Sequence, residues 1–360
     1  MKNYQLPLIF LLLIVTSCSF NQEKNNSKEK NPKVVQKSFP NYSYSIENSI
    51  PGSADLYLPE DGAGLPDGRI IVADNEDGLH VILEDGSTKS FGNMKKAGYS
   101  DGGARGVFLE RNGKHILVSC VNSGEIYRIN IEKETSEIIY RHNYGINNIY
   151  KDREGNIWFT QSAENPNGTT EALDEAFANP IPTGALYRLK KEKNSNSFKP
   201  KMMADSLFFA NGITMDESEE HVYVAEFRMD RIIRFQVSKD TLRNKEQYSI
   251  ILSPDNLERG PNGNIWVASL MQNKIFAIDK NDKSRHEVFS AKSEMNEEKQ
   301  KEWVRKTHLG ESVIDIGHPD MWNPLTGPLT GLFWSYDQNE IYFTGLGSKV
   351  LKYPFQPAPN

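Results

Sequence analysis

Six short runs of β-branched and aromatic residues recur along the chain: residues 70–74 (IIVAD), 116–120 (ILVSC), 157–161 (IWFTQ), 222–226 (VYVAE), 265–269 (IWVAS) and 341–345 (IYFTG). Such side chains pack well on a pleated surface, so each run predicts a strand. Turn signals precede most of them, at Asp67-Gly68, Asn112-Gly113, Glu154-Gly155 and Asn262-Gly263. A second strand-like run follows each first one: residues 79–82, 126–129, 186–189, 232–235, 275–278 and 350–353. Five of the six pairs are offset by 9 or 10 residues, and the third by 29, which marks an insertion. Six hairpins at this spacing predict an all-β, six-bladed β-propeller over residues 41–357, because a lone blade cannot bury both faces and must stack in a ring.

Two stretches break the rhythm. Residues 162–183 fall inside blade 3, and residues 170–178 have helical composition. Residues 281–325 fall between blades 5 and 6. Within them, residues 294–306 are charged and helix-favouring, with Trp303 and Val304 as an apolar face, and residues 318–322 (HPDMW) read as an ordered loop. Long ordered loops can cover a functional face; surface decoration fits the sequence equally well.

The first 40 residues have a different pattern. Lys2 precedes a ten-residue apolar run, 6–15, too short for a bilayer core of roughly 30 Å. The following Val15-Thr16-Ser17-Cys18 resembles a bacterial lipobox. This predicts a signal peptide over residues 1–17, a lipidated Cys18, and a polar tether to residue 40. Ser19 and Phe20, with no Asp after the Cys, point to an exported protein held at the cell envelope on the outer membrane. Cys120, the other cysteine, lies in a strand-like run and reads as a small core residue. The 360 residues carry a formal charge of −6, with 38% hydrophobic and 25% charged residues. That is globular composition, and its mild acidity argues against a nucleic-acid partner.

Counting back 10 or 11 residues from each first run reaches Glu60, Arg105, Asn147, Asn211, Asp255 and Thr330. Points related by the pseudo-sixfold axis of a propeller converge on its central channel. Asp or Asn before a strand is ordinarily a turn residue. Here Glu60, Asn147, Asn211 and Asp255, with Asn256 adjacent, place hard oxygen donors in register across four blades. That set suits one divalent cation, Ca²⁺ first, then Mg²⁺ or Mn²⁺; Zn²⁺ is the weakest fit, since neither Cys nor His is offered.

Several loops are similar to a known superfamily. Phe209-Ala210-Asn211-Gly212-Ile213 before VYVAE resembles the strictosidine synthase-like signature. Asn147-Asn148-Ile149 and Ser253-Pro254-Asp255-Asn256-Leu257 resemble metal loops of the gluconolactonase, regucalcin and strictosidine synthase-like superfamily, to which paraoxonases are related. The resemblance spans about residues 55–355. It implies a Ca²⁺-type ion on Glu60, Asn147, Asn211, Asp255 and Asn256, and hydrolysis of a lactone or ester. There are departures. Arg105 stands where paraoxonases carry a His, so their His relay does not transfer. Thr330 stands where strictosidine synthases carry a catalytic Glu, which argues against Pictet–Spengler condensation. Asp61-Gly62 replaces the usual Gly-Pro after the first-blade Glu.

The expected chemistry is Lewis-acid activation of a small lactone or ester. Asp255 is the first candidate base, and His318 on the second insertion is another, although a His there can simply be a surface residue. Arg105 and Thr330 are candidate substrate-binding residues. A non-catalytic, NHL-like ligand- or protein-binding propeller is one alternative, since its strands look similar but do not require Glu60 and Asp255 on the axis; a strictosidine synthase-like, metal-dependent member with other chemistry is the second.

Overall fold

The computed structural model describes residues 39–100, 102–166, 169–192 and 197–355. The signal peptide, Cys18 and most of the tether lie outside the described residues. Among those described, no helix is long and apolar enough to cross a membrane.

Six antiparallel four-stranded sheets follow one another along the chain. The branched runs identified above form the second strand of each blade, and nearly all of these side chains are buried. Their partners form the third strand, in registers such as Ile70 opposite Ile82 and Ile265 opposite Ile278. The innermost strand of each blade packs against that of the next, and blade 6 closes on blade 1. A separate apolar cluster fills each inter-blade space, so burial is shared around the ring. Trp158 and Trp266, on equivalent second strands, are among the largest buried side chains.

Closure is made by the N-terminal segment. Ser49–Ile50 pairs with Val350–Pro354 and becomes the outermost strand of blade 6. Upstream, the Tyr42 amide donates to Val288 O at 2.7 Å on blade 5. The Tyr42 ring lies 4.9 Å from that of Tyr353, whose hydroxyl donates to Ser43 O. Phe39 stacks on His286 at 3.9 Å. Residues 39–50 therefore strap blade 5 to blade 6, a role their sequence did not signal.

The two insertions carry helices α1 (Glu171–Ala178) and α2 (Glu294–Leu309). Ser293 caps α2, accepting from the Asn296 amide, and Gly310 ends it in a left-handed conformation. The second insertion is shorter than the spacing implied, because Arg285–Ser290 is the outermost strand of blade 5. Residues 318–322 include a short 3₁₀ turn, Pro319–Trp322.

Candidate metal centre

The residues counted back from each second strand lie on, or just before, the innermost strands. In blade 4, Ala210 pairs with Glu226, but Ile213 pairs with Val224, so one extra residue bulges next to Asn211. The same irregularity falls at Arg105 (between Ala104 and Val107), at Asp255 (between Pro254 and Leu257) and at Thr330 (between Leu329 and Gly331). A bulge re-aims a side chain that strict alternation would send between blades. Two residues before Glu60, Arg105, Asn211 and Asp255 stand Leu58, Gly103, Phe209 and Ser253, all with left-handed backbone (φ 55°, 87°, 55° and 38°). Three of these are not glycine, and such conformations cost about 1–2 kcal/mol each. The turns that lead into the axis are thus strained in three blades, a cost that good packing alone would not select.

Glycines let the strands converge. A Cβ on Gly212 would lie 2.4 Å from Leu257 N, and one on Gly331 would lie 2.4 Å from Glu60 O. Hydroxyls from the second strands then clip three of the four ligand loops to the preceding blade. Ser119 donates to Asn147 O (2.7 Å), Thr160 to Asn211 O (2.5 Å) and Thr344 to Glu60 O (2.7 Å).

The result is a buried polar cluster with unmet oxygen donors. The Asn147 side-chain amide nitrogen donates to Ser162 Oγ at 3.0 Å, while its Oδ1 has no hydrogen-bond partner. Asn211 Oδ1, Asp255 Oδ1 and Thr330 Oγ1 are likewise buried and unpartnered. Orphaned buried acceptors are costly and call for an explanation. Asn256 is fully engaged instead: its Oδ1 accepts from Asn148 Nδ2 at 2.8 Å and its Nδ2 donates to Glu60 O at 3.4 Å. It braces the Glu60 loop across the channel.

The electrostatics point the same way. Burial raises the Asp255 carboxyl well above the ordinary carboxylate range, and the neighbouring Glu60 raises it further. Burial also raises Glu60, partly offset by Arg105, whose Nε lies 2.8 Å from Glu60 Oε2. Asp61, directly after Glu60, is raised well above its usual range by burial although it accepts from the Gly62 and Val107 amides. Glu258, on the inner strand of blade 5, adds its charge against Asp61. Glu60 and Asp255 thus share the Arg105 guanidinium, and a divalent cation would stabilise their ionised forms. Asp61 and Asn148 were missed as site residues; the signal was adjacency, since each directly follows a residue counted onto the axis. Among the described residues no three His, Cys, Asp or Glu side chains form a metal cluster. The axial donors are mixed carboxylate, amide and hydroxyl oxygens, which fit a hard cation.

Arg105 remains beside the site, its Nη1 donating to Asn75 Oδ1 and Ala104 O, and its side chain is 17% exposed. Thr330 is buried in the same ring. His318 is placed differently: it caps the Pro319–Trp322 turn, accepting from the Asp320 amide at 3.2 Å, and its side chain is 46% exposed. None of its hydrogen bonds reaches an axial residue.

Both insertions leave the ring at this end. Gln161 closes the second strand of blade 3, and Ser290 closes the outermost strand of blade 5, in line across that sheet with Lys274, Ser269 and Pro254, next to Asp255. A seventh apolar cluster, with Ala176, Phe209, Phe227, Met271, Trp303 and Met321, joins the insertions into one cap. Arg228 ties them together, donating to Ala178 O at the end of α1 and to Thr307 Oγ1 on α2, and stacking 4.9 Å from Trp303.

A six-bladed propeller with an oxygen-lined axial centre under a helical cap is the class this geometry defines. The chain belongs to the SMP-30/gluconolactonase/LRE-like family, whose model matches residues 67–294. It is 31% identical over 124 residues to the adipocyte plasma membrane-associated protein hemomucin of Drosophila melanogaster; the match covers 34% of this chain but only 20% of that protein. A gluconolactonase from Xanthomonas campestris shares the fold, with TM-score 0.60 and 15% identity over 88% of this chain and 95% of its own. So does the calcium-binding protein regucalcin of Agrobacterium tumefaciens, with TM-score 0.56 and 11% identity over 89% and 99%.

Proposed function

We propose that this chain is a metal-dependent hydrolase of a lactone or carboxylic ester, exported and lipid-anchored through Cys18 at the cell envelope. The observation that carries the reading is the set of buried, unpartnered oxygens of Asn147, Asn211 and Asp255, gathered beside Glu60. Those four residues would hold the ion, calcium before magnesium or manganese. Family membership supports the reading, as do the gluconolactonase and calcium-binding relatives of the same fold.

When bound, a divalent cation would supply Lewis acidity toward an ester carbonyl. Arg105, held by Asn75 and Glu60 and still partly exposed, orients a hydroxyl or carboxylate of the substrate. Asp255 accepts the proton of the attacking water. The cap of α1 and α2 shields the channel mouth and limits the size of the entering ring.

The test is hydrolysis of sugar lactones and aryl esters by the full-length protein in EDTA, then with Ca²⁺, Mg²⁺, Mn²⁺ or Zn²⁺ restored. Metal-restored turnover, absent in Glu60→Gln and Asp255→Asn, supports the proposal. Cation binding without turnover on any substrate would favour a binding propeller instead.

A further inference from the structure

We propose that Thr330 is a fifth oxygen donor to the axial cation, closing its coordination between blades 5 and 1. The inference rests on the metal-binding reading above. Thr330 occupies the blade-6 position equivalent to the other ligands, and the inner strand of blade 6 is bulged there as it is at Arg105, Asn211 and Asp255. Its side chain is fully buried, and Oγ1 has no hydrogen-bond partner.

The surroundings limit what that hydroxyl can reach. Directly after it, Gly331 leaves no room for a side chain: a Cβ there would meet Glu60 O, Thr344 Oγ1 and the Asn256 side-chain nitrogen. Those groups already satisfy one another, since Thr344 and Asn256 both donate to Glu60 O. Buried threonine hydroxyls ordinarily find a backbone carbonyl. The counterparts Ser119, Thr160 and Thr344 do so on the second strands of their blades. Thr330 instead shares its state with Asn147, Asn211 and Asp255, whose free oxygens are the proposed ligands. An uncharged fifth donor adds to the coordination of a large hard cation without adding charge to a site already crowded with carboxyls.

The test uses full-length wild type, Thr330→Val and Thr330→Ser, with calcium and magnesium binding followed by calorimetry and melting recorded in EDTA. Valine keeps the shape and removes the oxygen. The proposal expects about tenfold or weaker calcium binding by Thr330→Val, recovery by Thr330→Ser, and no loss of melting temperature for Thr330→Val in EDTA, because an unpaired buried hydroxyl is removed. Wild-type affinity in Thr330→Val would overturn it. So would a marked loss of metal-free stability in that variant, which would mean that the hydroxyl has a protein partner. If wild type binds no cation at all, the metal site fails along with this proposal; if only Thr330→Val matches wild type, the site stands and this proposal alone falls.

Discussion

Arg105 sets its Nε 2.8 Å from Glu60 Oε2, so a guanidinium fixed beside the axis is paired with a proposed metal ligand. Both side chains are largely buried, 17% and 6% exposed. The pair stabilises Glu60 as a carboxylate while diluting the negative charge available to an ion. Removing the Glu60 carboxylate leaves the guanidinium with only the neutral acceptors Asn75 Oδ1 and Ala104 O. Glu60→Gln should therefore lose about 1–3 kcal/mol of metal-free stability, measured by denaturant unfolding in EDTA. Arg105→Met should bind calcium more tightly at pH 8, by at least about 1 kcal/mol, since one positive charge leaves the site. Equal or weaker binding would show that the arginine does not oppose the ion.

Thr160 Oγ1 accepts from the Asn148 amide and donates to Asn211 O, joining the ligand loops of blades 3 and 4. Thr160→Val breaks both bonds at a buried site. The expected cost is about 1–3 kcal/mol, with weaker calcium binding, and Thr160→Ser should recover most of both. Unfolding curves and calcium titrations of the two variants check this.

Gly212 has no room for a methyl group between Asp255 O and Leu257 N. Gly212→Ala must push blades 4 and 5 apart, and overpacking of this kind costs about 1–3 kcal/mol. Because Asn211 and Asp255 separate with the strands, calcium affinity should fall with stability. A variant that loses stability but keeps its affinity would mean that the two ligands are not positioned by this contact.

Arg228 holds α1 and α2 to the same surface. Arg228→Met keeps much of the packing and removes both hydrogen bonds. It should expose residues 294–315 to limited proteolysis while leaving the inter-blade cores protected. Unchanged protease sensitivity would contradict the keystone role.

His142 is buried among Tyr140, Phe159 and Tyr187, with Nε2 against Gln161 Oε1 at 3.0 Å. Burial pushes its imidazole below the ordinary value. The folded chain therefore keeps His142 neutral at pH values where the unfolded chain already binds the proton. Its contribution is constant above pH about 6.5 and is lost as pH falls from there toward the lowered folded value. His142→Gln, which preserves a partner for Gln161, should flatten that part of the melting-temperature profile.

The second and third strands were legible because branched residues at fixed offsets, such as residues 265–269 and 275–278, make blade hairpins and little else. The axial set was legible through the same count: Asn147, Asn211 and Asp255 recur 10 or 11 residues before strands of known type. Each looked like a turn residue, yet Asn211 and Asp255 lie within the innermost strands, because a bulge lets a strand present them to the axis. The outermost strands were hidden. Thr88–Ser90 and Thr241–Ile250 are mostly polar, with one edge toward solvent, so they lack a hydrophobic signature. The strap at residues 39–50 was hidden too, since its contacts with Tyr353 and His286 are set by ring closure and span most of the chain.

The most direct test of the axial centre is calcium titration into the metal-free full-length protein, wild type beside Asp255→Asn, followed by calorimetry and by melting temperature. Binding to wild type with a concentration-dependent rise in melting temperature, reversed by EDTA and lost in a folded Asp255→Asn, is the predicted result. No heat and no shift in wild type with calcium, magnesium or manganese, or undiminished binding by Asp255→Asn, would contradict it.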